Sequence, residues 1–416
     1  MKFTKNSKIL MDFFFHNKCI NHVPLTNKTK QILQKIFHEF QNAHEYLENK
    51  KKKEELLFYK MNITKISTIR QIPKPTQFNA NSFPAIVREH IDEYIEYTLS
   101  YTFSLFEREI TIHFMVEEED VELHIDKYNA YVEKIFMWLY FVNDYASKKC
   151  AKKLTLYLYM ISLTKELPES NISILDQNHV NTAFTYTCPV VSEIVVFRKE
   201  EWFKVLMHES FHNFALDFSD MNNNNCHNKI LSIFPVDSEV NLYEAYTEFW
   251  AEILNAAFCS YFSLKNKQNV QEFLETCEYF INFERTYSFF QLAKALRFMG
   301  LVYKDLYLPS SHIERKTLYK ENSNVLAYYI IKTILLNNYQ GFFEWCSKNN
   351  LSLLQFKKTV GNLDQLCLFI ERNYKKKSML YGVKCAEDMY FDKKKISGKK
   401  MKFIWNNMRM SICEMG

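Results

Sequence analysis

The sequence predicts an α+β protein, with a small mixed sheet in its first half and an almost wholly helical second half. Three observations carry that prediction. Apolar residues alternate at period two in short runs within a unit of roughly residues 107–218. A buried-looking helix with two histidines closes that region, over about 199–217. Beyond Ser219 apolar residues recur at helical spacing to the end of the chain.

Residues 1–80 are expected to form a helical accessory region. Lys28–Leu57 has helical periodicity at Ile32, Ile36 and Phe40, interrupted by the charge run Lys50–Lys53. Pro73 and Pro75 mark a linker, because proline and the residue before it both leave helical space. An amphipathic helix is then expected from about Pro84 to Phe106. Ile110, Ile112, Phe114 and Val116 alternate with Thr111, His113 and Met115, which is a strand signal. Helical spacing returns over Glu122–Ser147. Leu154, Leu156, Leu158 and Met160 give a second strand, and Val180–Tyr186 and Glu193–Phe197 two shorter ones. The expected units are thus 1–80, 81–218, a helical 219–371 and a basic segment 372–416.

Composition removes several classes of function. The 416 residues include only six glycines, the first at Gly300, and no two are placed for a phosphate-binding loop or a nucleophile elbow. The ten cysteines contain no C-x-x-C and read as reduced thiols of an intracellular protein. The apolar stretch Ile9–Phe15 is short and broken by Asp12, so no secretory signal is expected. No run is long enough to span a membrane. Of the net charge of +5, residues from Arg372 onward contribute twelve Lys/Arg against four Asp/Glu, or +8. That segment, with Lys375–Lys377, Lys393–Lys395 and Lys399–Lys400, is either a solvated surface or a site for nucleic acid or another anionic partner.

The chemistry lies in Met207-His208-Glu209-Ser210-Phe211-His212. Residues four apart share a helix face, so His208 and His212 can both point at one metal ion. Glu209 leans toward the same space and is free to act as general base toward a metal-activated water. Glu200 and Glu201 are expected in the first turn of this helix, where the dipole favours acids. Phe203, Leu206, Met207, Phe211 and Phe214 make the rest apolar, and two imidazoles and a carboxylate buried there are costly without a metal or partners.

Such a metal needs a third protein ligand and an open position. A scheme with glycine three residues past the second histidine and a further ligand three beyond it fails, because Ala215 and Phe218 stand there and Asp217 is off by one. The alternative is a carboxylate from a downstream helix. Glu244, Glu248 and Glu252 form a row at four-residue spacing, flanked by Asn241, Thr247, Ala251 and Asn255. Either that row is a solvated face, or it packs on the histidine helix, with Glu244 as ligand and Glu248 accepting a hydrogen bond from a ligand histidine.

Over residues 107–260 the chain resembles the gluzincins, zinc metallopeptidases in which H-E-x-x-H is joined by a glutamate from a following helix. The resemblance implies a zincin-like fold, with Zn2+ held by His208, His212 and Glu244, Glu209 as general base and Glu248 in support. It implies hydrolysis of peptide bonds. The whole chain further looks like uncharacterised zincin-like proteins of large DNA viruses. Two features depart from the pattern: 31 residues separate His212 from Glu244, and Tyr243 stands where an asparagine is common. Cys226 and His227 in the intervening stretch leave open a third ligand from a loop.

A peptidase also needs a strand edge for its substrate, and Ala183 and Phe184 resemble that segment. Tyr246, His312 and Tyr381 are candidates to stabilise an oxyanion, with no basis for choosing among them. Two rival functions remain at this level. One is a non-catalytic scaffold of the same fold; the other is a nucleic-acid-binding protein working through Lys375–Lys402.

Overall fold

Alternating apolar residues build one six-stranded mixed sheet in the order β1-β2-β3-β4-β6-β5. Its strands are β1 (Lys60–Lys65), β2 (Tyr97–Leu105), β3 (Arg108–Val116), β4 (Lys153–Met160), β5 (Ala183–Thr185) and β6 (Val191–Val196). The computed structural model describes residues 2–17, 22–53, 58–80, 82–391 and 398–416. Strand β2 is antiparallel to both of its neighbours, β1 and β3; β3, β4 and β6 are parallel, and β5 runs antiparallel to β6 at the sheet's edge.

Period two puts the two faces of the sheet in different cores. Ile110, Ile112, Phe114, Leu154, Leu156, Leu158, Ile194 and Val196 face the main helical core. Met115, Tyr159, Val195 and Phe197 face a smaller core closed by Phe78, Phe83, Val87 and Ile91.

Two strands were not legible as such. The region expected to be one helix to Phe106 divides into α3 (Ala85–Tyr94) and β2. Leu99, Tyr101, Phe103 and Leu105 are buried at period two, and Phe106 at φ 54° turns the chain directly into β3. Strand β1 pairs with β2 along its whole length, so residues 60–65 belong to the sheet and not to a separate accessory region.

In chain order the helices are α1 (Lys5–His16), α2 (Asn27–Lys53), α3, α4 (Ile125–Asn143), the single turn α5 (Gln177–Val180), α6 (Trp202–Asn213), α7 (Asn224–Ile233), α8 (Leu242–Ser263) and α9 (Val270–Phe298). They continue with α10 (His312–Leu318), a π-helical turn Leu326–Ile331, α11 (Lys332–Asn337), α12 (Tyr339–Asn349), α13 (Val360–Asn373), α14 (Lys377–Phe391) and α15 (Lys399–Asn406). The expected helical second half is present. Helix α2 packs into the same core as α4 and α8, through Phe37, Phe40 and Leu47.

Helix α6 begins at Trp202, so Glu200 and Glu201 do not occupy its first turn. Glu201 sits before it in a left-handed conformation (φ 59°) and points inward. Its carboxylate accepts from Lys165 Nζ at 2.8 Å and from the backbone N–H groups of Met410 and Ser411 at 3.0 and 2.6 Å. Residues 407–416 are therefore not a solvated tail. They form a buried strap, with Ile412 N and Cys413 N donating to Glu284 at 2.9 and 2.8 Å and Tyr329 OH donating to Met408 O at 2.8 Å. The run Lys393–Lys395 lies outside the described residues.

The expectation of reduced thiols fails at Cys150 and Cys188, which form a disulfide; Cys385 is also disulfide-bonded. Absence of C-x-x-C excludes local pairs only, whereas Cys150 and Cys188 are brought together by the approach of β4 to the turn before β6. Among the described residues no helix is long and apolar enough to cross a membrane.

Candidate metal centre

Helix α6 runs beneath β6 and β5, and every one of its residues is buried. Helix α8 packs against it, also buried over nearly its whole length. The acidic row of α8 therefore faces the interior of the protein, which removes the solvated-face alternative. Glu244 reaches the histidines, Glu248 sits behind them, and Glu252 pairs with Lys332 at 2.6 Å, both side chains fully buried.

The three donor atoms make a compact triangle. His208 Nε2 lies 3.1 Å from His212 Nε2 and 3.1 Å from Glu244 Oε2, and His212 Nε2 lies 3.4 Å from the same oxygen. This group could hold a metal ion. Two nitrogens and a carboxylate oxygen converging this closely are otherwise poorly matched, since two imidazole edges compete for one acceptor.

The outer nitrogen of each ring is fixed by a carboxylate. His208 Nδ1 lies 2.8 Å from Glu248 Oε2, and Glu248 in turn accepts from Lys204 Nζ at 2.6 Å. His212 Nδ1 bonds to Asp217 Oδ2, and Asp217 is itself held by the Ser219 hydroxyl at 3.0 Å. These contacts select the tautomer that leaves both Nε2 atoms facing the triangle. Asp217 was noted in the sequence only as one place out of step with another ligand scheme. Its actual role follows from the chain turning at Ala215 (φ 55°), which brings it back under His212.

Burial opposes protonation of both histidines, yet their acid neighbours win. Glu244 and Glu248 raise His208, and Asp217 and Glu244 raise His212 well above the usual imidazole range. Burial likewise works to raise Glu244 and Glu248, but the imidazoles hold Glu244 far below the carboxylate range. Lys204 and His208 do the same for Glu248. Glu209 behaves oppositely. It is buried, takes no hydrogen bond from any described residue, and its carboxyl is raised chiefly by desolvation.

These groups open into a cavity of about 200 Å3. His208, Glu209, His212 and Glu244 form its floor, and Ala183 and Phe184 of β5 are on one wall. Tyr328 stands opposite, its hydroxyl donating to Glu244 Oε2 at 2.8 Å. Sequence reasoning missed it, because nothing separates it from 25 other tyrosines until the π-helical turn places it.

The tyrosine and histidine candidates proposed for an oxyanion are elsewhere. Tyr246 is buried and donates to Leu354 O at 2.9 Å, and His312 and Tyr381 are exposed on the surface. The loop ligands also fail. Cys226 is buried on α7 with its sulfur 3.2 Å from that of Cys367, and His227 Nδ1 accepts from Val240 N at 3.2 Å.

No protein-family profile matches the chain, and no solved structure matches it. Over 184 residues it is 28% identical to an uncharacterized protein of Acanthamoeba polyphaga mimivirus, the match covering 44% of each chain.

Proposed function

We propose that the protein is a zinc-dependent metallopeptidase of zincin-like fold, with the His208–His212–Glu244 triangle as its metal site. One observation carries the reading: both histidines are braced from behind by carboxylates, while Glu209, between them in sequence, takes no hydrogen bond from the described residues and lines the cavity. A structural metal site has no use for that free carboxyl.

Zinc suits the donor set, two imidazoles and a carboxylate. A tetrahedral ion with ligands about 2.0–2.1 Å away spaces its donors by about 3.3 Å, and the edges here are 3.1, 3.1 and 3.4 Å. When bound, zinc supplies a polarised carbonyl and an acidified water at its open position. The chain supplies the rest. Glu209, raised by burial, would serve as the base that takes a proton from the attacking water and passes it to the leaving amine. Tyr328 O–H, beside Glu244, is placed to donate to the carbonyl oxygen as charge develops. Strand β5 is the edge strand of the sheet among the described residues, and an extended peptide can pair with it through Ala183 and Phe184.

The test is metal content by mass spectrometry together with cleavage of denatured casein, with and without chelator. Wild type should bind one zinc and cut casein, and chelator should stop the cutting. Glu209→Gln should keep the zinc and lose activity by about a hundredfold or more. Undiminished cleavage by that variant removes Glu209 from the mechanism, and retained activity without metal removes the reading altogether.

A further inference from the structure

Asn324 lines the metal-site cavity and has a left-handed backbone, φ 56°, without being glycine. Outside glycine that conformation is uncommon, and where it occurs the surroundings must hold it in place. They do so here from three sides. Asn322 N donates to Leu175 O at 2.9 Å, and Ser323 Oγ to Asn181 Oδ1 at 2.9 Å, fastening the loop to the wall that leads into β5. Asn241, the residue before α8 and three before Glu244, donates from Nδ2 to Asn324 Oδ1 at 2.9 Å. Glu321 accepts from Leu326 N at 3.0 Å and from Val325 N, locking the turn that carries Tyr328.

The amide oxygen of Asn324 is thus committed, and its Nδ2 donates to no described residue. Next to β5 and to the Asn181 that holds Ser323, the Thr182 hydroxyl is buried without a hydrogen-bond partner among the described residues. A buried polar group left unpaired beside a cavity costs free energy unless something entering the cavity pairs with it. A peptide main chain offers a carbonyl and an N–H at every residue.

We propose that Asn324 is a substrate-positioning residue whose Nδ2 donates to a main-chain carbonyl of a peptide extended along β5. This deepens the peptidase reading and rests on it for what enters the cleft. The substrate class is then unfolded or extended polypeptide, held by its backbone and so recognised with little regard to side chains.

The experiment measures binding of fluorescein-labelled denatured casein, by anisotropy, to zinc-loaded Glu209→Gln protein with and without a second change at Asn324. Asn324→Gly keeps the left-handed backbone but removes the amide and with it the acceptor for Asn241, so it should melt slightly lower than its parent, hold the same zinc, and bind about three- to tenfold more weakly. Asn324→Asp keeps the acceptor for Asn241 and replaces the donor with a carboxylate, and should bind more weakly still. In the cleaving background the same changes should raise KM and leave kcat nearly unaltered. Casein affinity unchanged in Asn324→Gly overturns the inference, as does a parent that binds no casein. Weakened binding in a protein that cuts nothing upholds the inference and sinks only the peptidase reading.

Discussion

Asp217 does for His212 what Glu248 does for His208, and the two acids make metal uptake depend on protons. Both histidines are raised above their usual range, so protons compete with an ion for their ring nitrogens up to a higher pH than at an ordinary imidazole. Zinc affinity should therefore climb with pH and keep climbing past the pH at which an ordinary imidazole has already lost its proton. Competition with a chromophoric chelator across pH 6 to 9 measures this, and a plateau by about pH 7 contradicts it. Asp217→Asn removes the larger acid influence on His212. It should weaken zinc by about ten- to a hundredfold and flatten the climb. At this scale a four-residue period pairs His208 with His212 and Glu244 with Glu248 in the sequence, and the packing of the two helices brings the four side chains together. Asp217, Tyr328 and Asn324 escaped, because each reaches the site through a turn with unusual backbone or a π-helical step, which no periodicity encodes.

The acidic row on α8 shows what an element can hide. Glu244, Glu248 and Glu252 look equivalent at four-residue spacing, yet one faces the metal triangle, one braces a histidine, and one is buried against Lys332 of α11. The Glu252–Lys332 pair joins the two helices beneath the site, where neither charge meets solvent. Burial raises the Glu252 carboxyl well above the usual carboxylate range, so removing Lys332 leaves a buried acid without its hydrogen-bond partner. Lys332→Met should therefore lower stability by about 1–3 kcal/mol in urea unfolding, and the double change with Glu252→Leu should recover most of it. Equal loss in the single and double variants would show that the pair sets helix geometry and is not merely tolerated. Strand β2 was misread for a related reason. Tyr97–Leu105 alternates cleanly, but the helical pattern of α3 leads into it without a proline or glycine to mark the change.

At the scale of the molecule, the end of the chain matters more to the fold than its charge suggests. The sequence presents residues 372–416 as a basic segment, and exposed lysines such as Lys399 and Lys400 fit that description. Residues 407–416 do not, since their backbone N–H groups satisfy Glu201 at the entry to α6 and Glu284 on α9, and Met410 reaches the cavity wall. The two carboxylates answer to different partners. Lysines hold Glu201 down to about 2 against its burial, whereas burial of Glu284 outweighs its backbone bonds and raises it. Deleting 407–416 leaves both acids buried without those donors, so the truncated protein should lose cooperative urea unfolding and its zinc together. Lys399→Gln with Lys400→Gln, by contrast, should shift stability by no more than about 0.5 kcal/mol. This contrast also decides how an anionic partner must be tested. Loss of nucleic-acid binding on deletion of the segment would report unfolding, whereas loss on neutralising the exposed lysines in a protein that still binds zinc would report a charged surface.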